Sequence, residues 1–105
     1  MGFFDFLFGK KVQPATDLKQ LAKDGALILD VRTKREFNAG HIDGAINIPV
    51  QVLDNHLEEI KAYNKMIIAY CRSGRRSGKA TNILNKAGIK TVNGGGFIAL
   101  KKVLG

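Results

Sequence analysis

The sequence predicts an α/β domain with a mostly parallel sheet and helices on both faces. Three observations predict it. Short apolar runs rich in β-branched residues alternate with stretches of helical periodicity, glycines close those helical stretches, and 105 residues make about one domain, since domains typically run ~100–150 residues. In order along the chain, Leu18, Leu21 and Ala22 share one helical face, and Gly25 is placed to end that helix. Residues 27–31, Leu-Ile-Leu-Asp-Val, read as a short buried strand. Thr33 with Glu36 three residues on is a capping box, which starts a short helix that stops at Gly40. Residues 41–44 are turn chemistry, residues 45–48 a short strand, and Pro49 a break. Leu53, Leu57 and Ile60 mark one face of the next helix, with Glu58 and Glu59 turned to water. Residues 66–70, Met-Ile-Ile-Ala-Tyr, are the clearest buried strand and run directly into Cys71. A helix follows, opening near Arg76 or Ser77, carrying Ala80, Ile83, Leu84 and Ala87 on one face and ending at Gly88. Residues 90–92 form a last short strand, residues 94–96 read as a glycine turn, and Phe97, Leu100 and Leu104 line a final helix.

The first eleven residues differ from the rest, because they hold four of the six phenylalanines and end at Lys10-Lys11. They read as a hydrophobic appendage at 1–11 on a domain at 12–105. Packing on the domain or disorder, contact with a partner, and weak contact with a membrane surface all stay open for it. An apolar fraction of 45% with 25% charged residues is ordinary globular composition, which sets aside disorder and a membrane bundle. No apolar run approaches the ~18 residues of a spanning helix, and the start lacks a basic signal-type region, so the expectation is a cytoplasmic chain.

The formal charge is +8, and from Lys61 onward the sequence has ten basic residues and no acidic one. Such a balance suggests an anionic partner. The single cysteine, Cys71, excludes an intrachain disulfide and a cysteine-rich zinc site, and suits a reducing compartment. In an open parallel sheet, ligands bind where strand ends pass into loops and helices. Cys71 stands there, followed by Arg72, Ser73, Gly74, Arg75 and Arg76. A loop that short around Gly74 turns backbone N–H groups inward at a helix N-terminus, and with three guanidiniums nearby it both binds an anion and favours the thiolate. Thiolate is the nucleophile.

Five pieces of the chain then occur together in order: Asp30-Val-Arg32, Glu36-Phe37, residues 40–45 (Gly-His-Ile-Asp-Gly-Ala), the loop from Cys71 to Ser77, and Gly95-Gly96. Together they resemble the rhodanese homology domain in its small single-domain form, over about residues 12–104. The resemblance implies a rhodanese-like three-layer sandwich. It also implies a thiosulfate-type sulfurtransferase in which Cys71 takes a sulfane sulfur, holds it as a persulfide and passes it to cyanide or a thiol. Cys71 is then the catalytic residue, and Arg72, Ser73, Gly74, Arg75 and Arg76 bind substrate. Asp30, Arg32 and Glu36 support the site. The partners implied are a small anionic sulfur donor and a thiol acceptor such as glutathione or a thioredoxin-like protein, with no cofactor.

The same residues admit other readings. Cysteine phosphatases of the related fold use a loop one residue longer, with arginine six positions after the cysteine; position 77 here is Ser and Arg76 lies at five. Phosphatase or arsenate-reductase chemistry is therefore a lesser alternative. A non-catalytic binding or regulatory module is the other, against which stands the intact cysteine. His41 and His56, fifteen residues apart without a second thiol, give no metal site. Nucleic acid is set aside, because beyond Lys61 only Tyr63, Tyr70 and Phe97 are aromatic. Where the family commonly places tryptophan after the double glycine, this chain has Leu100, with Phe97 the local aromatic.

Overall fold

Four strands form one parallel sheet in the computed structural model, which describes residues 15–105. The appendage read at residues 1–11 and the boundary at residue 12 lie outside the described residues. Helix α1 (Ala15–Lys23) leads into β1 (Leu27–Asp30), α2 (Lys34–Ala39) and β2 (Ile46–Asn47). A 3-10 segment (Val50–His56) passes into α3 (Leu57–Ala62), followed by β3 (Ile67–Cys71), α4 (Arg75–Lys86), β4 (Thr91–Gly96) and α5 (Phe97–Leu104). The strand order is β2-β1-β3-β4. The chain therefore builds outward from β1 on one side, then crosses to β3 on the other, and the two central strands flank the switch point where such sheets bind ligands.

Alternation along the strands sorts the core into two layers. Ile67 and Cys71 of β3 join Leu29, Leu53, Ile60, Ala80 and Leu84 in one apolar cluster, under α3 and α4. Ile68 and Tyr70 join Leu18, Ile42 and Leu100 in the other, under α1 and α5. Helices thus cover both faces, as the sequence predicts. No helix among the described residues is long and apolar enough to cross a membrane.

Two elements differ from expectation. The predicted helix through Leu53 and Ile60 is split, because His56 leaves helical geometry at φ −122° and ψ 12°, separating the 3-10 segment from α3. Both apolar residues still reach the core, at 0% and 1% exposure. The second difference is the glycine run at 94–96, which is not a turn but the end of β4. It stays in the sheet through an irregularity: Ala69 pairs with Asn93 while Tyr70 pairs with Gly95. Small size is what Gly94 and Gly96 supply, while Gly95 takes a left-handed φ of 87°. A Cβ on Gly96 would stand 2.7 Å from the Arg72 carbonyl oxygen, so only a bare backbone lets β4 run this close under the Cys71 loop.

Candidate active site

All strands being parallel, their carboxyl ends share one edge of the sheet, and Asp30, Cys71 and Gly96 end β1, β3 and β4 there. Cys71 is the last residue of β3, one position further into the sheet than the sequence reading put it. After it the chain must turn within three residues to start α4 at Arg75. Gly74 makes that possible by adopting φ 99°, a left-handed conformation that a Cβ would disfavour.

Gly74 is also the N-cap of α4, and it has no side chain to satisfy the open N–H groups of the first turn. The Cys71 sulfur takes over that role. Gly74 N donates to Sγ at 3.0 Å, and Ser77 N, in the first turn of α4, donates at 3.4 Å. Ser77 Oγ lies 3.4 Å from the same sulfur. The sulfur thus sits where a capping oxygen would sit, in the positive end of the helix field. Burial pushes the Cys71 thiol up, but the hydrogen bonds that an anionic sulfur takes from the Ser77 hydroxyl and amide and from the Ser73 and Gly74 amides outweigh it, leaving the thiol below its ordinary value of 9.0. The residue is 1% exposed, so these dipoles act where water screens little.

At the end of β1, Asp30 organises a buried network. Its Oδ1 accepts from Arg32 N at 2.9 Å, and its Oδ2 accepts from Arg32 Nη2 at 2.6 Å and from the Tyr70 hydroxyl at 2.7 Å. Tyr70 in turn accepts from Ile42 N at 3.0 Å, and Arg32 donates to the Gly40 carbonyl at 2.7 Å, so the network fixes the 40–42 loop onto the sheet. The Arg32 guanidinium carbon lies 4.6 Å from the centre of the Phe97 ring. Burial pushes the Tyr70 hydroxyl up to about 12, keeping it a neutral donor to Asp30. Leu100 is buried in the cluster under α1 and α5.

The three loop arginines have different surroundings. Arg72 and Arg75 are exposed and make no ion pair among the described residues. Arg76 instead grips Glu36 with both terminal nitrogens, at 2.7 and 3.0 Å. The Thr33–Glu36 capping box is present, so one carboxylate both caps α2 and ties α2 to α4. The Arg76 guanidinium, with the Thr33 amide, holds the Glu36 carboxyl at about 2 against an ordinary 4.5. A carboxyl lowered in the fold stabilises above its ordinary value, and the effect is lost as pH falls toward the folded one. Urea melts between pH of about 4.5 and about 2 should therefore show the wild-type protein losing stability faster than Glu36→Gln. Parallel declines in the two proteins would contradict this pairing.

Two further residues belong to the site and were not read from the sequence. Ser77 touches the sulfur directly. Asn93 of β4 accepts from Ser77 Oγ at 2.7 Å and donates to the Gly74 carbonyl at 3.1 Å, clamping β4 to the loop. His41 stacks on Phe37 with ring centroids 3.7 Å apart, and His56 pairs with Glu59 at 2.8 Å.

The model of the rhodanese-like domain matches residues 14–97, nearly the whole described chain. The chain belongs to the rhodanese-like domain family. Among curated relatives, the thiosulfate sulfurtransferase PspE of Escherichia coli is 38% identical over 81 residues, which are 73% of this chain and 78% of PspE. The matched segment is a smaller part of longer relatives, 20% of the HTH-type transcriptional regulator Rv0324 of Mycobacterium tuberculosis. Solved rhodanese-fold structures superpose on most of it. SSP1007 from Staphylococcus saprophyticus gives a TM-score of 0.73 at 28% identity, covering 91% of this chain and 97% of that one. The human single-domain sulfurtransferase TSTD1 gives 0.66 at 28% identity, with 83% and 92% covered. The fold is thus the rhodanese-like sandwich, and relatives at modest identity bear the name sulfurtransferase.

Proposed function

We propose that this protein is a sulfurtransferase of the thiosulfate type, working through a persulfide on Cys71. The observation that carries the reading is the sulfur itself: it caps α4 in place of an oxygen and accepts the Gly74 and Ser77 amides. That setting favours thiolate and stabilises any anion formed at the same point. In the first half-reaction the Cys71 thiolate attacks the outer sulfur of thiosulfate. The donor S–S bond breaks, sulfite leaves with the electron pair, and the sulfane sulfur stays on Cys71 as an anionic persulfide. Cyanide or a thiol then attacks the terminal sulfur, releasing thiocyanate or an acceptor persulfide and restoring the thiolate.

Arg72 and Arg75, exposed at the loop, draw the dianionic donor toward a sulfur that is itself enclosed. Arg76 acts with Glu36 as a brace between α4 and α2 rather than as a free cation. Asp30 and Arg32, with Tyr70, hold the 40–42 loop onto the sheet at the same edge. A brace at position 76 also argues against phosphate chemistry, since the guanidinium nearest the expected clamp position is already occupied by a carboxylate.

Steady-state turnover of thiosulfate and cyanide tests the reading. Wild-type protein should show it, and the Arg72→Ala and Arg75→Ala variants should raise KM for thiosulfate several-fold with kcat little changed. The difference from wild type should shrink at high salt, because exposed charges are screened beyond a Debye length of about 8–10 Å. Absence of turnover with any sulfane donor would refute the reading; unchanged KM in both variants would refute the role given to these arginines.

A further inference from the structure

The side chain of Asn93 reaches from β4 to the active loop, and its orientation is fixed by its partners. Gly95 N donates to Oδ1 at 2.9 Å, and Nδ2 donates to the Gly74 carbonyl at 3.1 Å. Since Oδ1 carries no hydrogen, the 2.7 Å contact with Ser77 Oγ is a bond that Ser77 donates. A hydroxyl has one hydrogen to give. With it given to Asn93, the Ser77 oxygen can engage Cys71 Sγ at 3.4 Å only by accepting the thiol hydrogen. With the hydrogen on Asn93, that arrangement suits a protonated sulfur. An anionic sulfur requires the reverse, with Ser77 turning its hydrogen from Asn93 to Sγ. Asn93 Oδ1 keeps the Gly95 N–H through that rotation, so the acceptor is not left bare.

We infer that Asn93 is a positioning residue for the sulfur: its carbonyl competes with Cys71 for the single hydrogen of the Ser77 hydroxyl, holding it while the sulfur is protonated and releasing it when the sulfur is anionic. The inference rests on Cys71 being the reactive thiol. The competition sets how readily thiol and persulfide exist as anions, and it needs only the rotation of one hydroxyl. The charged groups on the surrounding elements are Arg72, Arg75 and Arg76 around the loop and α4, Glu36 on α2, and Asp30 with Arg32 at the end of β1. The substitutions below leave all of them in place.

The test is the pH dependence of Cys71 alkylation by iodoacetamide in wild type, Ser77→Ala, Asn93→Ala and the double variant. Ser77→Ala should raise the midpoint, because the thiolate loses a donor. Asn93→Ala should lower it by about one pH unit, the size expected when a hydroxyl is freed to an anion. In the Ser77→Ala background, Asn93→Ala should leave the midpoint where it is. A drop of equal size with and without the hydroxyl, or no drop in either, overturns the inference, since a purely structural effect would not depend on Ser77. Should Asn93→Ala fail to fold, Asn93→Asp serves instead. Its carboxylate holds the hydroxyl more firmly, so the midpoint should rise more with Ser77 present than with Ala there; equal rises overturn the inference. Alkylation needs no sulfur donor, so failure here is distinct from failure to form a persulfide.

Discussion

Replacing Cys71 with Ser should reduce thiosulfate:cyanide turnover to background while leaving the fold intact. The serine oxygen is smaller than the sulfur but points the same way from Cβ and can accept the same Gly74 and Ser77 amides that now cap α4 through Sγ. Stability should change little, because the helix keeps its capping acceptor and the pocket keeps its shape. Activity has no such substitute. A serine hydroxyl, with an ordinary acidity far weaker than a thiol's, supplies neither the nucleophile nor the atom that carries the transferred sulfur. Circular dichroism and a thermal melt alongside the turnover assay separate the two effects. Activity in the folded serine variant would sink the role assigned to Cys71.

Asp30→Ala should give the largest loss of stability. Asp30 is 0% exposed and Arg32 5% exposed, and the carboxylate satisfies both the guanidinium and the Tyr70 hydroxyl. Removing one partner of a buried ion pair leaves the other charge unpaired, at a cost of about 3–5 kcal/mol. The variant also leaves Tyr70 without its acceptor, which adds to the loss. Asp30→Asn keeps an acceptor for the hydroxyl and should be intermediate. Urea unfolding with a constant m-value would measure both. A loss of less than about 1 kcal/mol in Asp30→Ala would mean that the network is not a main support of the fold.

Much of this site is legible from residue order alone, and the rest fails for identifiable reasons. The strand, cysteine, glycine loop and helix from residue 66 to residue 88 announce themselves because apolar run, turn residue and helical period follow one another without a gap. The Thr33–Glu36 box is equally local, and it forms as expected. Glu36 and Arg76, by contrast, lie 40 residues apart and meet only because β1 and β3 are adjacent in the sheet. Nothing in their order reports this. Ser77 reads as an ordinary polar residue at a helix start until the sulfur is seen capping that helix. Asn93, 16 residues beyond Ser77, carries no local signal of its contact. The glycines at 94–96 give the wrong signal, because consecutive glycines usually mark a turn. Here their purpose is close approach, and the strand continues through them.

The most direct test of the central claim is the intact mass of the protein after incubation with thiosulfate, and again after cyanide is added. The account predicts a gain of one sulfur atom that maps to Cys71, is absent from Cys71→Ser, and disappears as thiocyanate forms. A wild-type mass unchanged by thiosulfate and other sulfane donors, or a gained sulfur that cyanide does not remove, would contradict it.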